Sequence, residues 1–190
     1  MRGHGGILSF MATRIAGFRG EFLWELEIAE RQTVAVAECI PAEQYNWRPA
    51  AQARSFSEVL VHVATGNFML LDVIGVSAPV DLYAEVPAEG EARFQGMIRR
   101  NDELVAGISE KDAVVSLLKR SLQAVSQAFT NASEDELNRQ RNFFGEETTV
   151  RRVYLRLLAH LDEHMGQVIA YLRFNGMAPP WPDWRPDRRS

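Results

Sequence analysis

Residues 149–176 read TVRRVYLRLLAHLDEHMGQVIAYLRFNG, and their periodicity decides the fold. Val150, Val153, Leu157, Leu161, Val168 and Tyr171 recur at steps of three and four, the repeat that lines up side chains on one face of an α-helix. Gly176 suits the left-handed position just past a helix end, and Pro179 follows where no helix can continue. The pattern predicts a helix from about Thr149 to Asn175. At about 100 degrees per residue, His160 and His164 project into the middle of its apolar arc. Two imidazoles buried side by side each need a partner for the acceptor nitrogen.

Upstream, the same periodicity recurs. Ile15, Phe18, Phe22, Leu26, Ala29, Thr33, Val36 and Ile40 mark one face of a helix from Arg14 to about Cys39, and Pro41 stops it. Residues 42–54 contain Tyr45-Asn46-Trp47-Arg48-Pro49 and read as an ordered connection with aromatic anchors. Ser55 and Glu58 then form a capping-box signature. The helix it opens carries Phe56, Val59, Leu60, Val63 and Leu70 as its core stripe, with His62 at the flank and Gly66 one turn later. An absent side chain there leaves room beside a possible ligand.

Residues 75–107 mix prolines, glycines and charge, and only 92–104 suggest a partial helix, so this stretch reads as a long crossover. Ser109 to Asp112 reads as another cap, followed by Val114, Leu117, Leu118, Leu122, Val125 and Phe129 as a third long helix. One further turn at residues 133–137 and a loop at 139–147, centred on Phe144-Gly145, lead into the last helix. Four long helices, no alternating strand pattern and one long connection after the second describe an all-α four-helix bundle with a crossover between helices two and three.

Composition sets outer bounds. The chain has 190 residues, enough for one domain with a real core, and 46% of them are hydrophobic. Its 21 Lys and Arg against 25 Asp and Glu are spread along the helices, which argues against a nucleic-acid surface. Charge or glycine interrupts every apolar stretch before the roughly 20 residues of a membrane span. A lone cysteine, Cys39, cannot pair internally, and the run Ile7 to Phe10 is too short for a secretory leader, so the expected location is the cytoplasm. Residues 1–10, with His4, are Gly-rich and read as an extension to a single domain spanning 11–190, Met11 being a plausible natural start. The proline-rich tail after Gly176 reads as an extended strap anchored by Trp181 and Trp184.

Histidines four residues apart on a helix lie roughly 6 Å apart, which lets two ring nitrogens converge on one ion at about 2.1 Å. Solvated pairs and core histidines bonded to carbonyls share this spacing, but the central position in an apolar arc favours an ion that satisfies both rings at once. From spacing alone, His62 reads more readily as structural than as ligating, as a lone histidine on a helix flank usually is.

The segments Ile40-Pro41, Trp47-Arg48-Pro49 and Arg54-Ser55-Phe56 through His62-Val63-Ala64 resemble the second-helix region of the DinB/YfiT-like family. His160-Leu161-Asp162-Glu163-His164-Met165-Gly166-Gln167, Tyr171-Leu172-Arg173 and Gly176-Met177-Ala178-Pro179-Pro180 resemble its last helix, and the likeness runs from Met11 to Trp181. The resemblance implies a DinB-like four-helix bundle in which His62, His160 and His164 bind a divalent metal ion. Three protein ligands leave positions for water or substrate, and nitrogen ligation suits zinc or nickel. The chain has neither H-E-x-x-H nor the paired Glu-x-x-His of di-iron bundles.

The resemblance further implies a metal-dependent transferase or isomerase acting on a small electrophile, with a low-molecular-weight thiol such as bacillithiol or mycothiol as cosubstrate, and a homodimer. The alternative is a non-enzymatic, stress-associated metal-binding bundle. Glu163 is the candidate catalytic residue, and it shares with Gln167 the flank from which a ligand can be oriented. Surface hydrogen bonding is the plainer role for both. Arg173 reads as an anion contact or a salt bridge, Cys39 as inert packing, and Trp24, opposite the core stripe of helix one, as a subunit contact or equally a contact with the crossover or tail.

Overall fold

The capping box predicted at Ser55 is present. Ser55 Oγ accepts from the Glu58 amide at 3.2 Å, and the Glu58 carboxylate accepts from the Ser55 amide at 2.7 Å. From that start the chain forms its most buried helix. The computed structural model describes residues 17–181. The extension at 1–10, the first turn at Arg14 and Ile15, and Trp184 lie outside the described residues.

Numbered among the described residues, the elements are α1 (Gly17–Cys39), α2 (Phe56–Val73), α3 (Val80–Tyr83), α4 (Gly90–Gly107), α5 (Lys111–Asn131), α6 (Glu134–Asn138), β1 (Gln140–Phe143), β2 (Glu146–Thr149) and α7 (Val150–Phe174). The long helices α1, α2, α5 and α7 make the bundle. α2 packs on α5 and α7, and α1 packs on the same two helices from the opposite side.

Side-chain contacts fix the directions. Arg19 of α1 donates to the carbonyls of Thr130 and Ala132 at the end of α5, while Lys111 at the start of α5 donates to those of Glu38 and Ile40. Those two helices are antiparallel. Phe22 meets Tyr154 and Thr33 meets Met165, so α1 and α7 run parallel. Phe56 meets Tyr171 and His62 meets His160, so α2 and α7 are antiparallel. It follows that α2 and α5 are parallel neighbours, and the chain must traverse the bundle between them.

That traverse is more ordered than the sequence suggests. In place of a partial helix at 92–104, α4 runs the 18 residues Gly90–Gly107 and packs along α2. Only Gly96, Met97 and Leu104 of α4 are buried, too few to advertise a helix by periodicity. A half-buried ion pair clasps it instead, Arg93 to Asp72 through two bonds of 2.8 and 2.6 Å.

Two further expectations are corrected. Ser109 does not cap α5; the N-cap is Glu110, without a side-chain bond, because the helix begins two residues later. The segment read as a loop at 139–147 is a two-stranded hairpin in which Phe143 faces Glu146 and Gln140 faces Thr149. Phe144 and Gly145 take φ of 53° and 88°, the paired left-handed conformation of a tight hairpin turn. Thr149 then caps α7 by accepting from the Arg152 amide, and Gly176 at φ 71° ends it as predicted.

The core divides along the bundle. Phe22, Leu71, Phe129, Leu137 and Tyr154 fill one end beside the hairpin. Val36, Phe56, Leu60, Phe68, Leu118, Val168 and Tyr171 fill the rest, with Trp181 of the tail packed against them. By length and composition α2 could cross a membrane, but 67% of it is buried inside the bundle, as befits a core helix. Trp24 is 41% exposed on the outer side of α1.

Candidate metal centre

His62 sits on the flank of α2, and His160 and His164 lie on successive turns of α7. Because α2 and α7 run antiparallel, the three rings meet. His160 Nε2 and His62 Nε2 are 3.2 Å apart, the ring centroids are separated by 4.6 to 5.0 Å, and one nitrogen from each ring falls within 4.8 Å of the others. The apolar arc had suggested buried histidines; all three are half-buried, at the edge of the core stripe rather than inside it. That edge gives the cluster an approach from solvent.

Gly66 makes the convergence possible. A Cβ built there would stand 2.8 Å from His160 Cε1 and 3.4 Å from Nδ1, so the ring lies in space that any other residue would fill. Packing and the contact of its Nε2 with His62 orient the ring, while His160 Nδ1 is buried with no hydrogen-bond partner. An unpaired buried polar atom costs about 1–3 kcal/mol, the kind of local cost retained at functional sites.

The electrostatics keep His62 and His160 neutral. Burial, then the charge of Arg54, then the other two rings push the His62 pKa down to about 3. Burial, His164 and the nearby Arg156 and Arg54 push that of His160 down to about 4, against a weaker opposing pull from Glu163. Neutral imidazole is the metal-ligating form. One pair of donors also has the spacing a metal ion needs. Two nitrogens at about 2.1 Å from a tetrahedral ion stand about 3.4 Å apart. The 3.2 Å pair is close to that separation without rearrangement.

Glu163, the candidate catalytic residue, lies on the exposed flank, where Arg156 holds its carboxylate through two bonds. The residue bonded to a ring is Gln167, whose Oε1 is 2.9 Å from His164 Nδ1 and whose Nε2 donates to the Tyr171 hydroxyl at 2.8 Å. Arg173 is exposed in the last turn of α7, where its charge complements the helix dipole. Arg48 pairs with Glu58 at 2.9 Å and Trp47 packs edge-on to Tyr171, so that segment secures the α1–α2 connection. Cys39 donates to the Val36 carbonyl, and burial raises its pKa, the environment of an unreactive thiol. Arg54 was named from the sequence only as part of the stretch that resembles the family, with no role at the site, and its place one residue before a helix cap does not distinguish it.

Fold and site together define a class: a four-helix bundle whose crossover topology brings one histidine of the second helix onto a pair from the last. The sequence matches the DinB superfamily over residues 25–168, and the chain belongs to that superfamily. A crystal structure of a DinB-like protein from Bacillus cereus aligns at 17% identity with a TM-score of 0.65, covering 87% of this chain and 97% of that one. A DinB-like protein from Bacillus subtilis aligns at 19% identity with a TM-score of 0.52, covering 86% and 96% respectively. At these identities the likeness establishes the fold. No curated protein matches the chain.

Proposed function

We propose that the protein binds one divalent ion, zinc or nickel, through His62, His160 and His164 and uses it to transfer a small thiol to an electrophile. The observation that carries the proposal is the convergence of three histidine rings, with two Nε2 atoms 3.2 Å apart at the edge of the core. When bound by three neutral imidazoles, such an ion keeps its double charge and lowers the pKa of a water or thiol beside it.

The chain's own residues support the rest. The half-buried rings leave one side of the cluster open, as substrate access requires. Arg54 is exposed, and its charge acts on both His62 and His160. That positive field favours the approach of an anionic reactant. Glu163, whose carboxylate Arg156 holds on the exposed flank of α7, stays the candidate for proton handling. A small-molecule substrate, a thiol cosubstrate and a homodimer belong to the same proposal, the last checked by light scattering.

The test is a turnover assay on natively purified protein, loaded in turn with zinc and nickel and offered a panel of thiols with a chromogenic electrophile. Conjugation that appears only in the loaded protein supports the transferase reading. Stoichiometric metal without turnover on any pair, combined with a large loss of thermal stability on chelation, replaces it with a structural metal in a non-enzymatic bundle.

A further inference from the structure

We infer that Gln167 is a positioning residue for the metal centre, fixing His164 in the one neutral tautomer that can ligate through Nε2. The inference rests on the metal reading of the three histidines and adds a member to the site.

A neutral imidazole has one N–H and one lone pair, and it ligates through the lone pair only if the other nitrogen keeps the proton. His164 Nδ1 faces Gln167 Oε1 at 2.9 Å, and an amide oxygen can only accept. The proton therefore sits on Nδ1, and Nε2 is left free to bind. The opposite amide orientation would present an N–H to Nδ1, shift the ring proton to Nε2 and close the ligand position.

Gln167 is itself held. Its Nε2 donates to the Tyr171 hydroxyl at 2.8 Å, and the Tyr171 ring is buried edge-on against Trp47 and Phe56 at 5.7 and 5.6 Å. The relay thus runs from the α1–α2 connection through Tyr171 and Gln167 to one ligand. His160 has no such tether, because its Nδ1 is unpartnered. Partners of this kind orient ligating histidines in metal sites generally, and their loss weakens metal affinity 10- to 100-fold.

The experiment compares the full-length wild type with Gln167→Met, Gln167→Glu and Tyr171→Phe. Nitrogen NMR of the metal-free proteins reads the His164 tautomer directly, and chelator competition reads zinc affinity. Expected are a proton on Nδ1 in the wild type, its movement toward Nε2 in Gln167→Met, and a 10- to 100-fold loss of zinc affinity in that variant. Gln167→Glu, whose carboxylate can only accept, restores wild-type affinity or exceeds it. Tyr171→Phe frees the amide to turn and gives a smaller loss, which keeps the test open if Gln167→Met folds poorly.

An Nε2 proton on His164 in the wild type overturns the inference. Equal losses in the Met and Glu variants overturn it too, since a merely structural side chain would be hurt by both. A wild type that takes up zinc while Gln167→Met matches it in affinity sinks this inference alone. A wild type that takes up no zinc sinks the metal reading and this inference with it.

Discussion

Gly66→Ala sets two effects against each other within one methyl group. The new Cβ would meet His160 Cε1 at 2.8 Å, whereas carbon atoms in contact prefer about 3.5–4.0 Å. The imidazole must move by roughly 0.7 Å or more to relieve that. The ring is the far end of a flexible side chain and yields without disturbing the helix. Ligand distances in metal sites hold to about 0.2 Å, so the same movement takes His160 out of range.

Zinc affinity is therefore expected to fall about 10- to 100-fold, on the order of 1.4–2.7 kcal/mol. Replacing a helical glycine by alanine meanwhile stabilises the helix by about 1 kcal/mol, which raises the melting temperature by about 2–4 °C for a chain of this size. The assay is a pair of melting curves per protein, one in chelator and one in excess zinc, with a competition titration for affinity. The variant should melt higher than wild type in chelator and gain less from zinc. Unchanged affinity would show that His160 does not depend on the space above Gly66, and a variant less stable in chelator would show that the ring does not yield freely to the new methyl group.

Alanine at His160 or His164 should abolish stoichiometric metal by elemental analysis while circular dichroism stays near wild type, because half-buried edge residues do not hold the core; undiminished metal in either variant refutes the ligand assignment. In the metal-free protein, stability should fall as pH drops from about 6.5 toward 4. The unfolded chain takes up protons near pH 6.5, whereas native His62 and His160, with pKa values of about 3 and 4, do not. Denaturant melts across that window should flatten in a His62→Gln, His160→Gln double variant. Arg54→Gln should raise the His62 pKa by NMR titration and tighten zinc binding; an unmoved pKa would remove Arg54 from the site. Asp72→Asn breaks the two-bond clasp on Arg93 and should cost about 1–2 kcal/mol, or about 2–8 °C of melting temperature, as α4 loosens from α2.

Much of this was legible in the sequence because long amphipathic helices announce themselves. The α7 stripe from Val150 to Tyr171 and the capping box at Ser55 and Glu58 are local patterns with local causes, and both appear where expected. α4 was half-read because the charged side chains of Arg93 and Asp72 tie it down, and an ion pair between two helices leaves no periodic trace. The hairpin escaped because four-residue strands carry too little alternation, although Phe144-Gly145 marked its turn. At the site, spacing found His160 and His164, whereas His62 required the likeness to a family, since nothing local says which flank of α2 faces α7. Gln167 and Glu163 looked equivalent from the helix wheel. Arg156, reaching across seven residues, holds Glu163 away, whereas Gln167, held by Tyr171 four residues on, bonds the His164 ring.

The separation of His62 from His160 has a thermodynamic side. They stand 98 residues apart in the chain, and an ion gripped by both would act as a reversible cross-link closing that loop. A permanent link across roughly 100 residues removes entropy worth about 4.7 kcal/mol from the unfolded ensemble in the chain-entropy account. A metal link returns that stabilisation whenever the ion leaves, so the cell's supply of the ion would set how much of this protein stays folded as well as how much is active.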